Sequence, residues 1–195
     1  MPSMSREQAW ELLTEWVQSA SLVRHCRCVE ICMCAYARQR GEDEASWGLA
    51  GLLHDADYER HPDMDADDGH PRTIIAELQR RGEDPVVIRA VASHADFLGV
   101  SRDSAMEKTL FAVDELSGFV VACAAVRPDG IHGLTPKSVK KKLKQPSFAA
   151  AVNRDDVRHG AEELGVDFDE HVRFVVAALE EHAVELELEG TAAAA

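Results

Sequence analysis

Four histidines and two aspartates have the residue types and the positions of metal ligands. Each lies on or beside the apolar face of a helix that hydrophobic periodicity predicts. They are His25, His54, Asp55, His70, His94 and Asp114. A carboxylate that faces a protein core is costly unless its charge is compensated. Convergence on one or two divalent cations would satisfy all six side chains, and this ligand set suits Fe, Mn, Zn, Co, Ni or Mg.

A single histidine on an apolar helical face is more commonly a hydrogen-bonded core residue than a ligand. His171 and His182 show this, because they lie beside apolar residues of a predicted C-terminal helix and carry no evident chemistry. The adjacent pair His54-Asp55, together with the order and intervals of the other candidates, favours a shared metal site over separate core histidines.

The elements that must position these residues are helices nearly throughout. Apolar periodicity and capping residues predict them over residues 5–19, 21–40, 43–55, 70–82, 85–96, 103–126, 136–145, 154–164 and 168–187. The acidic stretch 58–69 is predicted to be a loop. Residues 184–189 alternate like a strand, but no partner strand is evident. The sequence therefore predicts an all-α fold, with one helical domain over 1–130 and a C-terminal helical extension over 131–190 that either packs on it or serves as a lid over the active site.

The six candidates, taken in order, resemble the ligand pattern of the HD-domain superfamily of metal-dependent phosphohydrolases. The resemblance covers roughly residues 20–120. It rests on LAGLLHDADY (49–58), on HPRTIIAELQRRGEDPVVIRAVASHAD (70–96) and on LFAVDELSG (110–118). It implies an HD-type helical bundle to which the last helices are added.

The resemblance also implies roles for the six residues in a dinuclear site. His25, His54 and Asp114 would hold the first ion, Asp55 would bridge, and His70 and His94 would hold the second. The implied activity is hydrolysis of a phosphomonoester or phosphodiester, nucleotides included, by a metal-bound hydroxide. Two alternatives stay open: an HD-fold dinuclear iron oxygenase that cleaves a C–C or C–P bond with O₂, and a non-catalytic module, against which the intact ligands argue.

Residues near these ligands are candidates for catalysis and substrate binding. Asp55 and Asp57 are the predicted catalytic carboxylates; Asp57 would act as a general acid or base or orient a metal-bound water, unless it is a solvated loop acid. Arg24 could contact a substrate phosphate or simply face outward.

Five of the six lysines lie in 137–144, and the predicted phosphate contacts among them are Lys137, Lys140 and Lys141. The alternative is a solvated helix face that balances nearby acids.

The overall charge limits the partners. The chain of 195 residues has a formal net charge of −14, which argues against a nucleic-acid polymer and against an anionic membrane surface. No apolar run approaches the ~20 residues of a membrane span, and the N-terminal residues lack a signal-peptide pattern. A cytoplasmic protein is therefore expected, and the small phosphorylated substrate that the resemblance implies is compatible with the charge. Cys28 and Cys32, with His25, offer a rival soft-metal site, and small core residues are the alternative.

Overall fold

A computed structural model describes residues 3–191 of the chain. Over these residues the protein forms nine α-helices and one short 3₁₀ helix and contains no β-strand. The helices are α1 (Arg6–Trp16), α2 (Ala20–Arg40), α3 (Glu44–Leu53), α4 (Arg72–Arg80), α5 (Pro85–Ser93), α6 (Ala105–Ala125), α7 (Pro136–Leu143), α8 (Arg154–Leu164) and α9 (Phe168–Glu180). The prediction of an all-α fold is confirmed. Within the described residues, none of these helices combines the length and the hydropathy of a bilayer-spanning segment.

The chain divides into two compact units inside α6. The first unit ends at Leu110 and the second begins at Phe111. The division inferred from the sequence, after residue 130, lies further along the chain and stays a prediction. The last residues, 192–195, lie outside the described part of the chain.

Capping side chains lie at the N-termini of several helices in the first unit. Ser5 forms a capping box with Gln8 at the start of α1. Asp43 accepts hydrogen bonds from the first backbone N–H groups of α3, and Asp84 accepts one at the start of α5. These oxygens satisfy N–H groups that have no partner within the helix. Gly41, with φ of 71°, follows α2 in the left-handed conformation, and the helix ends at residue 40, where the sequence predicts its end.

Helix α3 forms the centre of the first unit and packs against α1, α2 and α5. All its residues from Ser46 to Leu53 are buried. Two glycines allow α2 to lie close to it: a Cβ on Gly51 would lie 3.0 Å from the backbone nitrogen of Glu30, and one on Gly48 would lie 2.6 Å from the Cys34 Sγ. The close approach brings α2, which carries His25, alongside α3.

In the second unit, α9 packs against both α7 and α8. Gly160 of α8 lies so close to α6 that a Cβ on it would approach the Ala112 Cα to 2.6 Å. The buried His171 ring donates from Nε2 to the carbonyl oxygen of Ala112 at 3.0 Å. His171 therefore packs in the core, in agreement with the absence of any chemistry assigned to it.

Helix α9 ends at Glu180, earlier than the predicted end at residue 187. The following residues form turns, and Leu186 and Leu188 are buried there. The N–H of Ile131 donates to the carbonyl oxygen of Leu188 at 2.8 Å, and a Cβ on Gly130 would lie 2.0 Å from that oxygen. The chain leaves the helix because this segment packs against the loop after α6. Of the alternating apolar residues in 184–189, Leu186 and Leu188 are buried and Val184 is 74% exposed, and the segment forms no strand.

Candidate metal centre

His54 and His94 directly follow the last residues of α3 and α5, and both rings are held in the same way. The Nδ1–H of His54 donates to the carbonyl oxygen of Gly51 at 2.8 Å, and that of His94 to the carbonyl oxygen of Val91 at 2.5 Å. These acceptors belong to the last helical turn, where carbonyl groups lack helical partners. Because a carbonyl oxygen only accepts, each ring carries a proton on Nδ1 and, when neutral, presents the lone pair of Nε2.

His70 lies between α3 and α4 and is oriented by a carboxylate. Its Nδ1–H donates to Oδ1 of Asp57 at 2.7 Å, and Oδ2 of Asp57 accepts the backbone N–H of Ile74 at 2.8 Å. Asp57 is 0% exposed. A neutral His70 ring therefore also presents its Nε2 lone pair. A carboxylate behind the ring is the usual support of a metal-ligating histidine, since it fixes the tautomer and raises the basicity of the ligand.

Asp55 lies between two pairs of imidazoles. Its Oδ1 is 3.4 Å from Nε2 of His70 and 3.7 Å from Nε2 of His94. Its Oδ2 is 3.6 Å from Nε2 of His25 and 3.6 Å from Nε2 of His54. Each carboxylate oxygen thus faces one histidine pair, which is the arrangement expected of a bridging ligand.

The spacing of the nitrogens fits a cation. The Nε2 atoms of His70 and His94 are 3.3 Å apart, and those of His25 and His54 are 3.2 Å apart. Neutral His70 and His94 rings, with their protons on Nδ1, bring two lone pairs together, and a shared divalent ion would stabilise that contact. The ligand atoms of Asp55, His70 and His94 all lie within 4.8 Å of one another. This group could hold a divalent metal ion.

The predicted ligands His25 and Asp114 and the predicted phosphate contact Arg24 lie on helices. His25 is on α2, and its side chain is 22% exposed, whereas His54 is 0% exposed. Arg24 precedes His25 on α2 and is partly buried; its contact with a substrate stays a prediction. Asp114 lies on α6 in the second unit, and its coordination of the first ion also stays a prediction.

Asp57 has surroundings different from those of a solvated loop acid or of a general acid open to substrate. The sequence places it in an acidic stretch, but the structure buries it completely. One oxygen accepts from His70 and the other from the N–H of Ile74. Its contacts are therefore those of a group that acts through His70.

The lysine-rich segment forms α7 in the second unit. Lys137 and Lys141 are exposed, and the Nζ of Lys140 lies 2.8 Å from Asp169 of α9. This ion pair agrees with the alternative in which the lysines balance nearby acids. Arg154, the first residue of α8, donates to the carbonyl oxygen of Leu143 at the end of α7 and to three carbonyl oxygens of the following loop, so it anchors that loop.

The cysteines behave as core residues. Burial raises the pKa of Cys32 well above its ordinary value and that of Cys34 to about 11. A thiol that remains protonated is a poor metal ligand, since the thiolate is the coordinating form. Within residues 3–191, no close cluster of candidate ligands includes a cysteine. The soft-metal alternative with Cys28 and Cys32 therefore has no support from the geometry.

Tyr58 was not among the residues predicted from the sequence. Its ring meets the His70 ring edge to face, with the centroids 5.2 Å apart and the planes at 83°, and the residue is 40% exposed. Tyr58 thus combines contact with a candidate ligand and access to solvent. The available signal was its position directly after the sequence HDAD (54–57), but an aromatic residue in a loop has no distinctive spacing.

Comparison with known proteins gives one match. Residues 22–118 match the family model described as the HD domain, the stretch that contains all six candidate ligands. No curated protein and no solved structure gives a significant match to the chain. The agreement between the matched stretch and the His/Asp cluster confirms the resemblance seen in the sequence. Residues 22–118 of the chain therefore form an HD domain.

Proposed function

We propose that the protein is a metal-dependent phosphohydrolase that acts on a small phosphorylated substrate, a phosphomonoester or phosphodiester, with nucleotides among the candidates. The observation that carries the proposal is the position of Asp55, whose two oxygens face two separate histidine pairs. A carboxylate so placed would bridge two divalent ions. Two ions held about 3.5–4 Å apart clamp the oxygens of an in-line phosphoryl displacement.

The protein's own residues supply the placement that this chemistry needs. When bound, the ions act as Lewis acids on phosphoryl oxygens and lower the pKa of a coordinated water. His70 and His94 would hold one ion and His25 and His54 the other, the latter together with Asp114. The rings of His54, His70 and His94 are held by hydrogen bonds from Nδ1, so their Nε2 atoms stay in position without reorganisation. Catalysis of phosphoryl transfer rests mainly on such positioning and electrostatic stabilisation.

Asp57 is proposed to be a positioning residue and not a general acid. It is buried behind His70, and both of its oxygens are engaged by N–H groups. The Tyr58 ring contacts the His70 ring and is 40% exposed, and it is proposed to contact the substrate. Arg24 is a proposed contact for a substrate phosphate group, whereas phosphate contacts of Lys137, Lys140 and Lys141 stay predictions from the sequence.

The test measures metal content and reaction on the same protein. The full chain is purified anaerobically, its metals are quantified, and phosphate release is assayed on nucleotides and generic esters with Mn, Co, Ni, Fe, Zn or Mg. We expect metal-dependent release that Asp55→Ala abolishes. Absence of release from every ester with every metal would overturn the proposal.

The same preparation tests the oxygenase alternative. We expect no substrate-dependent O₂ uptake. A mixed-valence diiron EPR signal together with such uptake would replace hydrolysis with C–C or C–P bond cleavage, while leaving the ligand assignments in place.

A further inference from the structure

The second unit contains a cavity of about 440 Å³ at the junction of α7, α8 and the start of α9. Its volume falls in the range of small-molecule sites. Apolar side chains on its wall include Leu143, Val166 and Phe168. Leu143 is buried, whereas Val166 and Phe168 are partly exposed. The wall thus offers hydrocarbon surface that a ligand could cover.

Basic groups from two helices line the same cavity. Lys140 lies on α7, Lys144 directly follows the last residue of α7, and Arg158 comes from α8. Lys140 is paired with Asp169 and Arg158 with Asp155. Lys144 is exposed, and among residues 3–191 no side-chain partner is found for its ammonium group. Lys144 is therefore the cation best able to bind an incoming anion.

Two acids also line the cavity, and their situations differ. Oδ1 of Asp167 accepts the backbone N–H groups of Asp169 and Glu170, because Asp167 is the N-cap of α9. Glu162 is exposed on α8 and has no such capping role. Its carboxylate would repel an anion and so moderates the attraction of the basic groups.

We propose that this cavity binds a small amphiphilic anion. The anionic group, a carboxylate or a phosphate, would lie between Lys144 and Arg158, and a short hydrocarbon or ring body would lie against Val166 and Phe168. The charges would orient the ligand, and the apolar wall would supply affinity through removal of its body from water. The proposed site is separate in residues from the metal ligands, and the proposal does not depend on the phosphohydrolase activity.

The first experiment compares probes on the full chain after metal removal with a chelator, so that coordination at the metal centre cannot mimic binding here. Calorimetry or ligand-observed NMR is run with hexyl phosphate, hexanoate, inorganic phosphate and hexanol. We expect saturable binding of one or both amphiphiles, and affinity that grows about two- to fourfold per methylene in a butyl-to-hexyl series. The stronger of hexyl phosphate and hexanoate identifies the preferred anionic group. Amphiphiles that bind no better than phosphate or hexanol would overturn the proposal.

The second experiment uses charge variants of the same full chain. Lys144→Gln and Arg158→Gln should each weaken the amphiphile about two- to fivefold, as expected for partly exposed charges, and Glu162→Gln should strengthen it. Arg173→Gln is the matched control, since it removes a positive charge from an exposed position of α9 outside the cavity. Equal affinities in Lys144→Gln and Arg158→Gln and the unchanged protein would place any binding elsewhere and refute the assignment.

A third variant separates the apolar wall from the charges. Val166→Asn should reduce the affinity for hexyl phosphate while leaving that for inorganic phosphate unchanged. Circular dichroism and thermal unfolding of each variant show whether it folds like the parent. A correctly folded Val166→Asn protein with undiminished preference for the longer chain would contradict the proposed orientation of the ligand.

Discussion

Replacement of Asp57 by asparagine is the most informative single change, because it alters no proposed metal ligand. In the native protein, one carboxylate oxygen accepts from Nδ1–H of His70 at 2.7 Å and the other from the N–H of Ile74 at 2.8 Å. An amide has one oxygen and one NH₂ group, so it cannot accept both. If its NH₂ faces Ile74, two donors meet; if it faces His70, the ring must move its proton to Nε2, the atom proposed to bind metal.

The magnitude follows from these two outcomes. A buried donor left without an acceptor costs about 1–3 kcal/mol. The free energy of unfolding of the metal-free Asp57→Asn protein should therefore fall by about that amount, and its denaturant midpoint should fall with it. Loss of a supporting carboxylate behind a metal-binding histidine lowers metal affinity about 10- to 100-fold. Chelator competition measures the affinity, and urea unfolding measures the stability.

Asp67→Asn is the matched control, since Asp67 belongs to the same acidic segment and is exposed. It should change neither quantity by more than about 0.5 kcal/mol. Native metal affinity and stoichiometry in Asp57→Asn would refute the positioning role. Native metal binding with lost hydrolysis would instead assign Asp57 to proton transfer.

Three further predictions follow from the structure. Asp55→Ala should remove both metals or nearly so, while His70→Ala should mainly lower the occupancy of one; unchanged stoichiometry in Asp55→Ala, measured by elemental analysis, would contradict bridging. Gly51→Ala should cost about 1–3 kcal/mol in urea unfolding, because its Cβ would lie 3.0 Å from the α2 backbone; an unchanged midpoint would contradict this close packing. Burial lowers the pKa of His171 below its ordinary value, so its unfolded form binds more protons and stability is lost as the pH falls below about 6.5. In His171→Gln the fall in unfolding free energy over that pH range should be smaller than in the parent; an equal fall would exclude His171 as a source.

The sequence predicted the helices well where local signals decide the outcome. Capping residues such as Ser5 and Asp84 and the stop at Gly41 lie where the structure uses them. The error at the end of α9 has a different origin: the apolar period continues past Glu180, but burial of Leu188 against a distant loop is more favourable than another helical turn. Such competition depends on tertiary packing and leaves no local sequence signal.

The candidate ligands also differ in how far the local sequence predicts their orientation. His54 and His94 are oriented by carbonyl groups of their own helices, so their positions follow from a histidine at a helix end. The support of His70 comes from Asp57, whose place in an acidic stretch predicted a solvated or catalytic acid. The cavity in the second unit depends on three helices at once, so the lysine pattern alone could indicate a positive face but not the apolar wall beneath it.

A cation at His70 would also account for the burial of Asp57, apart from the spacing of the candidate ligands. An ionised carboxylate out of contact with water costs several kcal/mol unless charge compensates it. Its bonded partners are a ring N–H of His70 and a backbone N–H, and neither bears a full charge while the imidazole is neutral. A divalent ion on Nε2 of the same ring would place positive charge one imidazole away. The hydrogen bond between Asp57 and His70 would then have two effects. It would raise the basicity of the His70 ring as a metal ligand, and the charge of the bound ion would offset the cost of burying the Asp57 carboxylate.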